Sequence, residues 1–249
     1  MASALLEICV ESVQAAIVAQ NAGADRIELC ANLAEGGTTP SYGLMEVGRK
    51  KISLPIHVMI RPRSGDFLFE ADEFEQMKRD IAIAKKLKFD GIVIGLLNDN
   101  GEVDVEKTEE LVKLAYPLHV TFHRAFDMAN DPFQALEDII SAGCHTILTS
   151  GHRQTAIDGA ELIHRLQLKA NGKINIMAGS GVTDKNILEL ALKTKIHHFH
   201  ASAKKSVESN ILFRNNNINL GSIINYNEYQ KRLVDAEMIK SMKEKLASL

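Results

Sequence analysis

The chain has no excess of basic charge: 29 lysines and arginines stand against 32 aspartates and glutamates, a formal net charge of −3. A nucleic-acid binder usually shows a basic stripe and a membrane-surface protein a polybasic anchor, so neither partner is expected. There is also no apolar run of about 18 residues, the length that marks a membrane-spanning helix. The Met1-to-Val10 start lacks the basic region and long apolar core of a signal peptide, so the cytosol is the expected location. Cysteine is scarce: Cys9, Cys30 and Cys144 cannot all pair with one another, and a reducing compartment keeps them as thiols. No linker, low-complexity tract or composition break divides the 249 residues, so one domain over 1–249 is expected. What remains, 45% hydrophobic and 24% charged, is the composition of an ordinary folded chain.

Short apolar runs alternate with longer helical patterns, the sequence form of a parallel sheet with crossover helices. Strands are expected over Leu5–Val10, Asp25–Cys30, Pro55–Arg61, Gly91–Leu97, Leu118–Arg124, His145–Ser150, Ile174–Gly179 and Ile196–Ser202. Helix punctuation falls between them. Thr39-Pro40 offers a hydroxyl cap before a proline, and Asp72 with Glu75 has the offset of a capping box. Asp131-Pro132 opens a helix that Ala142-Gly143 can close, and Thr183-Asp184 opens one running to about Thr194. A terminal amphipathic helix fits 235–248.

Eight strands leave about 31 residues per βα unit, close to the size of a TIM (β/α)8 barrel. A doubly wound open sheet competes, but it normally carries a glycine-rich turn after its first strand, and here Val10-Glu11-Ser12-Val13 holds no glycine. After the eighth strand, 203–234 reads as a long irregular loop, with the Arg214-Asn215-Asn216-Asn217 run, Tyr226 and Tyr229, placed to lie over the barrel mouth.

Active sites of such barrels form at the C-terminal strand ends, and polar residues are dense there. Strand one ends Glu7-Ile8-Cys9 and strand two Glu28-Leu29-Cys30; alternation turns each Glu and Cys to one face, with neighbouring strands about 4.8 Å apart. Thiolates select Cu(I) over hard cations, so Cys9 and Cys30 read either as a soft-metal pair or as small buried hydrophobes in the wall. Cys144, at the opposite end, reads as structural. Glu7 and Glu28 read either as interior ion pairs with Arg61 or another barrel arginine, or as a general acid or base. His123 and His200 fall near the same mouth and suit acid/base or metal duty. His57, His119, His145, His152 and His164 read as structural.

The Gly179-Ser180-Gly181 turn lies after strand seven, where TIM barrels often bind phosphate on backbone amides. With Arg61, Arg63 and Arg124 nearby, an anionic ligand is one reading; a tight turn without a ligand is the other.

The segments LEICVES, GADRIELCANLAEGGTTPS, MIRPRSGDF, TFHRAFDMANDP, ILTSG, IMAGSGV and FHASA, in this order, resemble the CutC family of copper homeostasis proteins. The resemblance runs from about Leu5 to the region of Glu228 and Tyr229. It implies a TIM barrel, a cytoplasmic protein, frequent homo-oligomers and an association with copper tolerance or Cu(I) binding. By position, Cys9 and Cys30 correspond to the two cysteines proposed in such proteins to hold copper. The same strings contain Glu7, Glu28, Arg61, Asp66, His123, Arg124, Asp127 and His200, while Ser64 and Ser180 stand where some relatives have glycine.

Two functions follow. One is a Cu(I)-binding homeostasis protein using Cys9 and Cys30. The other is an enzyme on a small anionic or phosphorylated metabolite: Glu7 or Glu28 as base, His123 or His200 as acid, and Arg61 with Gly179–Gly181 holding the anion. A scaffold without chemistry fits less well with so many polar strand ends.

Overall fold

The computed structural model describes residues 4–215, 217–218 and 227–249; Met1 of the expected start and Asn216 and Tyr226 of the expected loop lie outside the described residues. The strands and helices alternate as β1 (Leu5–Val10), α1 (Val13–Asn21), β2 (Arg26–Leu29), α2 (Tyr42–Lys51), β3 (Ile56–Met59), α3 (Ala71–Lys86), β4 (Gly91–Ile94) and α4 (Val105–Ala115). They continue through β5 (His119–Phe122), α5 (Pro132–Ser141), β6 (Thr146–Thr149), α6 (Ala160–Ala170), β7 (Asn175–Ala178), α7 (Ile187–Thr194) and β8 (His198–Ala201). All of β1 to β8 pair in chain order with parallel neighbours, and β8 closes on β1. The TIM barrel is thus formed, and the open sheet is excluded.

Alternation along each strand explains both layers. Outward residues such as Leu6, Ile8, Ile27, Val58, Ile92, Phe122, Ile147 and Phe199 are fully buried in one cluster with the helix faces. Each contributes roughly 1.5–3 kcal/mol relative to exposure, so this outer layer stabilises the barrel. The alternate positions turn inward and are largely polar: Glu7, Arg26, Glu28, His57, Thr121, His123 and Thr146 are all buried. Interiors of such barrels are usually packed with branched aliphatics. A polar interior must instead satisfy its own hydrogen bonds and charges.

The helix signals at 131 and 235 hold. Asp131 caps α5, which Ala142 ends before Gly143 at φ 87°, and α8 (Ala236–Ala247) is capped by Asp235. Three others shift because other partners take the capping groups. Thr39 pairs with the end of β3, its hydroxyl accepting from the Arg61 amide at 2.9 Å, so Ser41 caps α2. Glu70, not Asp72, forms the capping box of α3 with Glu73, itself held by Arg63 at 2.6 Å. Asn186 accepts from the Thr183 amide at 2.8 Å and donates to the Gly181 carbonyl at 2.8 Å, which turns the chain and delays α7 to Ile187.

The segment expected to be irregular contains two strands. Its two ends, β9 (Lys204–Glu208) and β10 (Gln230–Val234), form an antiparallel ribbon. Among the described residues no helix is long and apolar enough to cross a membrane.

Candidate functional site

Barrel closure staggers the strands, and the stagger decides which inward residues meet. Glu7 stands level with Arg26 of β2 and His200 of β8, while Cys9 is level with Glu28 rather than with Cys30. The two Glu-x-Cys pairs are therefore offset by one inward step.

The deeper level is a closed ion-pair set. Arg26 Nε donates to Glu7 Oε2 at 2.5 Å, and His200 Nδ1 donates to Glu7 Oε1 at 2.7 Å. Burial pushes the Glu7 carboxyl up, but the Arg26 charge and the His200 hydrogen bond outweigh it and hold the group well below the usual carboxylate range. Glu7 is thus paired with a barrel arginine, Arg26, and not with Arg61. Further toward the N-terminal strand ends, the rings of His57, His119 and His145 stack with centroids 4.8 and 4.7 Å apart. Burial lowers His57 and His119 to about 3, so both are neutral imidazoles, as a structural role requires.

The upper level is where ligand chemistry is available. One donor atom each from Cys9, Glu28 and His200 lie within 4.8 Å of one another. Cys30 Sγ donates to Glu28 Oε2 at 3.1 Å, and Cys9, Cys30, Met59 and Val93 form one buried cluster. Glu28 lies 3.9 Å from His200 Nε2, and its Oε1 is buried without a partner among the described residues. Burial raises the Glu28 carboxyl, and the Glu7 charge adds to that against the pull of His200. His200 goes the other way: burial lowers it, but the adjacent Cys9 and Glu28 side chains and the hydrogen bond to Glu7 carry it well above the usual imidazole value. Cys30 is pushed well up by burial and by the Glu28 charge. Cys144, at the other end, is a buried free thiol that burial raises to about 12.

Of the arginines expected to face an anion, two are committed to carboxylates. Arg63 pairs with Glu73 and Asp66 at 2.6 and 3.0 Å. Arg124 pairs with Asp127 at 2.8 Å and donates to Ser150 Oγ at 2.9 Å. Arg61 donates to the carbonyls of Glu35, Gly37 and Gly65. His123 packs its ring where a Cβ on Gly95 would stand; its Nδ1 accepts from the Ala125 amide at 3.1 Å and its Nε2 is buried without a partner among the described residues. Gly179 is needed for close packing, since a Cβ there would meet Leu148 at 2.6 Å and His200 at 3.4 Å.

Cys9, Glu28, Arg61, His123, Arg124, Ser180, Gly181 and His200 line one cavity of about 1020 Å³ that opens at the mouth; Cys30, Arg63 and Gly179 are not among its lining residues. Three contributors escape sequence reasoning, and a fourth, Asp127, enters it only through the family-like strings. Arg26 precedes the Glu-x-Cys motif, and Met59 is on the same strand face as Arg61. Asp127 accepts from Thr149 Oγ1, the Ser150 and His152 amides and Arg124, tying the mouth loops after β5 and β6 together. Arg232 reaches the cavity from β10. Alternation from Arg61 could have found Met59; the others depend on contacts distant in sequence.

The fold and this thiol-bearing mouth define a TIM barrel with a polar, sulfur-containing interior. Residues 4–205 match the CutC family model, and the chain belongs to the CutC family. It is 45% identical over 242 residues to a CutC family protein of Chromobacterium violaceum, covering 97% of this chain and 98% of that one. It is 43% identical over 238 residues to the human copper homeostasis protein cutC homolog, covering 96% and 87%. A crystal structure of a CutC protein from Streptococcus agalactiae is similar with a TM-score of 0.76 and 33% identity over 80% of this chain and 98% of that chain. The N-(5'-phosphoribosyl)anthranilate isomerase of Pyrococcus furiosus, at 11% identity and TM-score 0.59 over 99% of this chain and all of that one, shares the fold alone.

Proposed function

We propose that this protein binds Cu(I) for copper homeostasis, using the thiolates of Cys9 and Cys30 with His200 as a third donor. The observation that carries this reading is the approach of Cys9, Glu28 and His200 to within 4.8 Å, with Cys30 hydrogen-bonded to the same glutamate. Two thiols, an imidazole and the adjacent Met59 thioether are the soft donor set that favours Cu(I) over hard cations. The ion is cargo, and its chemistry here is coordination alone. Binding must expel the Cys30 proton and the proton on His200 Nε2; Glu28, hydrogen-bond acceptor of the first and 3.9 Å from the second, is placed to take one, and the other leaves to solvent. Affinity then rises with pH, because protons compete with the metal. Titration of reduced protein with Cu(I) against a chromogenic chelator tests the site: the double variant Cys9→Ser with Cys30→Ser loses binding, and unchanged affinity in it would refute the site.

A second reading is favoured by the cavity itself. About 1020 Å³ far exceeds the roughly 30 Å³ of a water-sized occupant, and buried Glu28 Oε1 and His123 Nε2 lack partners among the described residues. We infer a small anionic metabolite as occupant of this cavity. Glu7 is locked by Arg26 and His200, so Glu28 is the carboxyl free to act as acid or base, with His200 or His123 as its counterpart. Thermal-shift screening against metabolites, with Glu28→Gln as control, tests it, since a ligand of the folded state raises apparent stability.

A further inference from the structure

We propose that the metabolite taken by the mouth cavity is a small phosphomonoester with a second anionic group at its far end, held between two positive poles on opposite sides of the barrel. This rests on the second reading above, that the cavity binds a small anionic metabolite.

The first pole is Arg61, just past β3. It is only 5% exposed, and its guanidinium is fixed by three neutral carbonyls: Glu35 at 3.0 Å, Gly37 at 2.9 Å and Gly65 at 2.8 Å. No carboxylate lies within 4.0 Å of it among the described residues, and its Nε is buried without a partner there. The acids of that rim are engaged elsewhere, Glu35 with Asn32 at 2.7 Å and Asp66 with Arg63 at 3.0 Å. A buried charge without a counterion is costly, and a guanidinium pinned in one orientation presents a ready fork to an acid.

The second pole lies after β7 and on the ribbon. Ser180 sits at φ 78°, a conformation rare for a residue other than glycine, fixed by its hydroxyl on the Gln154 carbonyl at 2.8 Å and its own carbonyl on the Ala156 amide at 2.9 Å. The amides of Ser180, Gly181 and Val182 have no acceptor among the described residues, and all three residues line the cavity. Arg232 of β10 lines it as well and has no acidic partner among the described residues, whereas neighbouring Lys204 is paired with Glu11 at 3.1 Å. Unpaired amides and a guanidinium on the wall of one cavity suit the several acceptor oxygens of a phosphate.

β3 and β7 are four places apart in a ring of eight, hence on opposite sides of the mouth. One phosphate cannot engage both poles; a ligand charged at each end can. Between the poles the wall offers Glu28 Oε1 and His123 Nε2, both buried and unpartnered among the described residues, to a hydroxyl or carbonyl in the ligand's middle.

The test measures thermal stability and binding calorimetry of the full chain with glycerol, inorganic phosphate, glycerol 3-phosphate and 3-phosphoglycerate as probes. The expected order of stabilisation is 3-phosphoglycerate, then glycerol 3-phosphate, with glycerol inert. Arg232→Ser weakens both phosphate esters about tenfold, the loss of one charge-assisted contact. Arg61→Lys, which keeps the charge but not the fork, reduces 3-phosphoglycerate to the level of glycerol 3-phosphate. Should Arg61→Lys fail to fold, the comparison of the two esters on the parent chain and on Arg232→Ser still decides. Equal effects of the two esters, or effects that survive Arg232→Ser, overturn the proposal. If a singly charged anion such as lactate binds as tightly as 3-phosphoglycerate and Glu28→Gln abolishes that binding, the two poles fall while the anionic-metabolite reading stands. If no metabolite binds, both fall.

Discussion

Glu7 and Glu28 flank one imidazole, with His200 Nδ1 2.7 Å from Glu7 and Nε2 3.9 Å from Glu28, and the barrel drives their carboxyls in opposite directions. Arg26 accounts for the difference. It neutralises Glu7 and leaves Glu28 as the group with an unpaired oxygen, next to both thiols.

The Glu7–Arg26 pair is therefore expected to anchor the interior. Glu7→Ala strands a buried guanidinium and should cost about 3–5 kcal/mol in denaturant unfolding, with Arg26→Met in the same chain recovering part of it. A cost below about 1 kcal/mol for Glu7→Ala would mean that the interior does not depend on this pair.

Stability should fall steeply in acid. His57, His119 and His123 are lowered by burial to about 3, with Arg26 adding to the first two, Arg61 to the third, and Glu7 partly opposing for His57 and His119. Unfolded, each titrates near about 6.5, so between those values the unfolded chain binds more protons. Their contribution is complete above about pH 6.5 and is lost as pH falls toward 3. Glu7, also depressed, adds to the loss below about pH 4.3. His57→Gln should reduce the slope of unfolding free energy against pH by about one proton across this window; an unchanged slope would contradict burial of a neutral His57.

Two glycine substitutions should act with opposite signs. A Cβ on Gly95 would overlap the His123 ring and meet Ala125 at 2.9 Å, so Gly95→Ala should destabilise by about 1–3 kcal/mol. Gly43, in α2 with nothing within 4 Å, should gain about 0.5 kcal/mol as alanine. Thermal unfolding of both variants checks the pair.

Asp127 should prove as costly to remove as a core residue. It is a carboxylate accepting from Thr149, Ser150, His152 and Arg124, and Asp127→Ala should lose at least about 3 kcal/mol while loosening the mouth. Hydrogen exchange at 149–152 reads the local part of that loss.

What the sequence makes legible is what short-range chemistry decides. The eight strands appear as apolar runs because their outward faces meet helices, and Asp131 and Asp235 cap the helices that follow them. Thr39 and Asp72 mislead because Arg61 and the Arg63–Glu73 pair claim the local groups. The level of Cys9 with Glu28 is a property of barrel closure, visible in neither strand alone. The ribbon of β9 and β10 carries KKSVE and QKRLV, charged sequences without a buried face to produce alternation, and Arg232 is one charge among several there.

X-ray absorption at the copper edge, on reduced protein loaded with Cu(I), reads the donors directly. Sulfur neighbours together with an imidazole, and one sulfur fewer in Cys9→Ser, is the expected result. A spectrum of nitrogen and oxygen neighbours alone, unchanged by Cys9→Ser and Cys30→Ser, would contradict copper binding by the barrel thiols.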